Sequence, residues 1–118
     1  MYKLPSDFDT TFLIGAVLEM ICFNANQIYF HFNRNISFVV ENNVFYTEAR
    51  TAVEKKVDVS CNESNLMQLL EHAIEQAKAD SSGTLTTVFD NGAVLKLVDT
   101  SEQYESYKIV VGDKVTIV

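Results

Sequence analysis

The sequence predicts a mostly β protein, α+β at the margin, folded as a β-sandwich or open barrel. Three observations carry this. Apolar residues alternate at a period of two in short runs set off by Asn, Asp and Gly. An Asn-Gly pair at Asn91-Gly92 sits between two such runs, the strongest short hairpin signal. Finally, the chain echoes itself at an offset of fifty-seven residues. Leu13-Ile14-Gly15-Ala16-Val17 falls on Leu70-Glu71-His72-Ala73-Ile74, Phe32 on Phe89, Phe38 on Leu95 and Val40 on Leu97, with no slip of register. The expectation is two similar three-stranded units, about 12–42 and 69–99, plus one principal helix, within a single domain over residues 1–118.

The elements follow in chain order. Ser6 to Thr10 reads as a turn that caps a short helical turn over Thr11 to Ile14, which Gly15 ends. Val17 to Phe23 is an apolar run, and Asn24-Ala25-Asn26 a turn. Ile28, Phe30 and Phe32 then alternate with Tyr29 and His31. After the tight turn Asn33-Arg34-Asn35, Ile36, Phe38 and Val40 alternate with Ser37 and Val39, which completes a meander. Phe45-Tyr46-Thr47 and Val53 to Val59 extend that sheet, the second as a charged strand near an edge. Leu66, Leu69, Leu70, Ala73 and Ile74 keep helical spacing among good helix formers, so a helix is expected from Ser64 onward. Its end is open, because the echo places Ile74 to Asp80 on the strand Val17 to Phe23. Leu85 to Phe89 and Val94 to Val98 form the Asn-Gly hairpin. Asp99 to Glu105 is an acidic loop, and Tyr107 to Val118 a last hairpin about Gly112-Asp113.

Length and composition limit the function classes. A chain of 118 residues can bury a core without disulfides or metal. The net charge of −7 argues against sequence-independent nucleic-acid binding, which runs on clustered positive charge, and disfavours an anionic membrane surface. No apolar run is long enough to span a bilayer, and the N-terminus lacks a signal-peptide pattern, so a cytoplasmic location is expected. Cys22 and Cys61 are then reduced thiols. With His31 and His72 they make no known ligand spacing, and no metal or cofactor is expected.

A search for catalytic motifs finds no nucleophile elbow, phosphate loop, zinc helix or dinucleotide fingerprint, and no catalytic residue is assigned. Two polar stretches stand out. The connection from Asp99 to Tyr107 brings Asp99, Glu102 and Glu105 together with Tyr104; these four are the expected partner-binding residues, acids to steer and Tyr104 to touch. The competing reading is a solvated loop pinned by its aromatics. The second stretch is the polar side of Tyr29, His31 and Ser37, where the competing reading is a sheet face covered by the helix.

Leu13-Ile14-Gly15-x-x-Leu18, then Gly83-Thr84-Leu85-x-x-x-Phe89-Asp90-Asn91-Gly92-x-x-Leu95, then Tyr104-Glu105-Ser106-Tyr107 resembles a family of small bacterial domains of unknown function. The chain departs from that pattern at His72, which stands for a glycine, and at Tyr107, which stands for a tryptophan. Such domains are similar in size and character to immunity proteins, cytosolic antidotes that block toxins exchanged between bacteria. The resemblance thus implies a non-catalytic protein that binds a cognate toxin with a basic active-site surface. The alternative is an adaptor or assembly domain without inhibitory activity. The oligomeric state is not readable.

Overall fold

A computed structural model describes residues 3–41, 43–49, 51–58, 65–99 and 106–118. Within them lie ten strands: β1 (Leu18–Phe23), β2 (Ile28–Phe32), β3 (Ile36–Val40), β4 (Asn43–Thr47), β5 (Glu54–Asp58), β6 (Ile74–Ala79), β7 (Leu85–Phe89), β8 (Val94–Leu97), β9 (Tyr107–Val111) and β10 (Lys114–Ile117). They form two antiparallel five-stranded sheets, ordered β1-β2-β3-β9-β10 and β5-β4-β8-β7-β6. The mostly β architecture is as expected and compatible with a sandwich. Alternation sets the inward faces: Ile28, Phe30 and Phe32 from one sheet and Leu85, Phe89, Leu95 and Leu97 from the other are buried. Phe32 and Phe89 meet between the layers, ring centroids 6.4 Å apart.

The first helical turn forms as a 3₁₀ turn over Thr11–Leu13, where Asp9 accepts bonds from the Thr11 amide and hydroxyl, and Gly15 ends it at φ 85°. No principal helix follows in the described residues. Leu66–Leu69 is a second 3₁₀ turn, and the chain enters β6 five residues later. Leu66 and Leu69 are fully buried, so their helical spacing serves the core through a single turn. Glu71 at φ 69° breaks the turn, and the Ile74 amide bonds to Ala16 across the molecule, not to residue 70. Tertiary pairing outweighs the helix propensity of this stretch.

The second correction concerns β4 and β5, which do not extend the first meander. β4 pairs with β8, Val44 opposite Leu97 and Tyr46 opposite Leu95. The flank of β3 is taken instead by β9, Phe38 opposite Ile109 and Val40 opposite Tyr107. Each meander therefore passes its next hairpin to the other sheet, and each sheet is a meander completed by the other half's hairpin. Period-two alternation dictates which side chains point inward but not which strand lies alongside.

The echo has a two-fold counterpart in the backbone, with one slip. The Gly15 amide bonds to Ile74 and the Glu71 amide to Leu18; the Leu18 amide bonds to His72 and the Ile74 amide to Ala16. Val17 bridges Ala73 at the centre. Here the offset is fifty-six. It becomes fifty-seven from β2 and β7 onward, where the Asn33 amide bonds to Val17 and the Asp90 amide to Ala73. The extra residue lies in the turn 80–84, compared with 24–27. Both first strands carry a register shift at matching places, Leu18/Met20 and Ile74/Gln76. The residue that matches Gly15 is thus Glu71, also at positive φ (69° against 85°), and His72 matches Ala16.

Candidate binding face

In β1, β2, β3, β9 and β10 the residues that alternate away from the core share one outer face. Register puts Met20 beside His31, Cys22 beside Tyr29, Ser37 beside both His31 and Val110, and Val110 beside Val115. Val39, on this face between Tyr29 and Lys108, is only 9% exposed. Met20 and Val115 are more than half exposed. The described residues include no helix beyond two 3₁₀ turns, so the competing reading of a helix-covered face does not hold among them.

Its polar groups are tied together. In the turn before β2, Asn24 Oδ1 accepts from the amides of Asn26 and Gln27. Gln27 Oε1 in turn accepts the Tyr29 hydroxyl at 2.5 Å, and Gln27 Nε2 donates to Glu41 at 2.7 Å. The Tyr29 and His31 rings stack at 5.8 Å, within 6° of parallel, and His31 Nδ1 lies 3.1 Å from the Ser37 hydroxyl. Side chains at i and i+2 of a strand point the same way, which is why a period-two Tyr-x-His can stack. The result is a flat aromatic pair held at both ends. Such side chains lose little further freedom when a partner covers them.

Of the four residues expected in the acidic loop, Asp99 is described; Glu102, Tyr104 and Glu105 lie outside the described residues. Asp99 accepts a bond from the Ser106 hydroxyl at 3.2 Å and packs beside Gly83. Tyr107, read as the end of that polar stretch, is fully buried in β9, and its hydroxyl donates to the Gly83 carbonyl across the sandwich. Burial pushes its phenol pKa upward, and the nearby charges of Asp99 and Asp80 add to the effect.

Two further features lie elsewhere. His72 Nδ1 sits 2.6 Å from Asp90 Oδ1, while Asp90 Oδ2 accepts the Ala73 amide; these contacts, the His72 bond first, hold the Asp90 carboxyl below its ordinary pKa. At the matching place in the other half, Asn33 accepts the Val17 amide with no histidine beside it. A cavity of 460 Å³ opens between the edge-to-face rings of Phe8 and Phe12 and the inner side of β9 and β10. Among the described residues no group of three or more His, Cys, Asp or Glu side chains could hold a metal ion, and no helix is long and apolar enough to cross a membrane.

Comparison with known proteins places this chain by family. It belongs to the Family of unknown function (DUF6188), whose model matches residues 11–118. No curated protein matches the chain, and no solved structure does.

Proposed function

We propose that this chain is a non-catalytic binding protein that engages a protein partner through the outer face of β1-β2-β3-β9-β10. The Tyr29–His31 stack carries the reading: two rings fixed in parallel by hydrogen bonds at both ends, set among Met20, Cys22, Val110 and Val115. Rigid aromatics ringed by apolar groups are where interface energy concentrates. The Ser37–His31 contact does not favour catalysis. Ser37 lies on a flat sheet, where backbone amides are committed to the ladder and do not converge on an oxyanion.

The more specific form of this reading is an immunity protein that masks the active site of a toxin domain. It is supported by the resemblance noted above and by the net charge of −7, which would speed encounter with a basic surface. The test is to express the chain beside the product of the adjacent gene. Rescue of growth and a stable complex, both lost in Tyr29→Ala, would support the immunity reading. A complex without rescue would leave an adaptor, and no complex with Tyr29 intact would overturn the immunity reading.

A further inference from the structure

A sheet edge exposes backbone groups that invite another strand, and among the described residues three of the four edges are obstructed. β1 and β6 are bent by register shifts at Leu18/Met20 and Ile74/Gln76, and the Thr10 hydroxyl also bonds to Ala77 of β6. β5 carries the consecutive charges Glu54-Lys55-Lys56. β10, which takes the place of β5 in the other sheet, is different. It pairs with β9 in unbroken register and is uncharged beyond Lys114.

Its ladder shows which groups are outward. Tyr107 and Val118 exchange both amide–carbonyl bonds. Because such pairs alternate along an antiparallel ladder, Thr116 and Lys114 also bond to β9, while the backbone groups of Val115 and Ile117 turn out along the edge. The side chains of these same two residues lie on the apolar outer face, and Val115 is 51% exposed. The local charge is favourable too. Residues 107–118 carry Lys108 and Lys114 against Asp113, a net of plus one on a chain of net charge −7, so this hairpin is where two copies can approach without carboxylates facing each other.

We propose that a second copy of this chain adds to the sheet here, β10 against β10 in antiparallel register, with Thr116 on the two-fold axis. In that register Val115 of each copy faces Ile117 of the other as a hydrogen-bonded pair, satisfying the outward groups of both. The two pairs lie on the same side of the sheet, so the apolar outer faces join into one ten-stranded surface. A contact of one short strand pair is smaller than the roughly 1,200 Å² of a stable interface, so the dimer is weak and concentration-dependent.

Sedimentation of the full chain over a micromolar-to-millimolar series tests it. The weight-average mass should rise towards twice the monomer. Val115→Pro should hold it at the monomer mass, because the proline removes an outward amide and breaks no bond to β9. Val115→Thr, which keeps the amide and the branched side chain, should associate like the parent. A mixture of isotope-labelled and unlabelled parent protein adds a readout independent of the proline variant's folding: contacts between Val115 and Ile117 methyls of different copies. A mass that stays monomeric to millimolar concentration, a folded Val115→Pro that still dimerises, or a dimer lacking those contacts would each overturn the proposal.

Discussion

The outer faces of the two sheets share a backbone plan but differ in chemistry at matching positions. Through the offset, Met20 corresponds to Gln76, Cys22 to Lys78, Tyr29 to Thr86 and Val39 to Lys96. At these four positions the first sheet is apolar or aromatic and the second polar or charged, with Lys96 bonded to Glu54 at 2.7 Å; at His31/Val88 and Ser37/Val94 the relation is reversed. The inner faces show the opposite relation, Phe32 matching Phe89 and Val40 matching Leu97, all buried. Since one fold accommodates both kinds of outer face, the apolar one is not something folding requires. Exposed apolar area that folding does not need is best explained by what covers it in use.

The largest effect should come from the inner faces. Phe32→Ala and Phe89→Ala should each lower stability by about 3–5 kcal/mol in denaturant melts, because each leaves a cavity at the contact between sheets. The two losses should be similar. A loss near zero for one alone would break the equivalence of the halves.

Partner affinity is the next largest. Tyr29→Ala should weaken the complex by about 2 kcal/mol, the scale of an interface hot spot, and Thr86→Ala at the matching position should leave it unchanged. Equal losses, or a loss only for Thr86→Ala, in calorimetric titration would move the interface off this face.

Alternation made most strands legible in the sequence, and with them the shared direction of Tyr29, His31 and Ser37. It did not show that Val110, Val115 and Ile117 complete the same face, because that depends on β9 lying beside β3, a contact between residues about seventy apart in sequence. Leu66, Leu69 and Leu70 imitated a helix because a buried 3₁₀ turn and a helix ask for the same spacing over one turn. The slip in the echo was hidden because the added residue falls in a polar turn, where apolar phase leaves no mark. It led to His72 being aligned with the glycine whose place Glu71 fills.

That correction predicts a smaller effect. Gly15 at φ 85° has Arg34 Nη2 only 3.1 Å from where a Cβ would stand. Gly15→Ala should therefore cost about 1–2 kcal/mol, the price of a left-handed L-residue. Glu71→Gly should stabilise by less than about 1 kcal/mol, since relief of the same strain is offset by a looser unfolded chain. His72→Gly should bring no such gain. A gain from His72→Gly and none from Glu71→Gly, by thermal melts, would restore the unslipped offset.

The smallest effect separates Asp90 from Asn33, which accept matching amides in the two halves. Only Asp90 titrates. Its folded pKa is lowered, first by the His72 hydrogen bond and then by the Ala73 amide. A depressed carboxyl stabilises the fold above its unfolded pKa of about 3.9, and that contribution is lost as pH falls through the lower folded value. Stability of the parent should therefore fall with acid over this window by more than that of Asp90→Asn, whose amide oxygen can still accept the Ala73 amide as Asn33 accepts that of Val17. Asp9 and Asp80 also have lowered values, so both proteins will lose stability in acid, and the readout is the difference in slope. Parallel curves below pH about 5 would mean that the exposed His72–Asp90 pair is screened by solvent and that the two halves differ here in composition but not in energy.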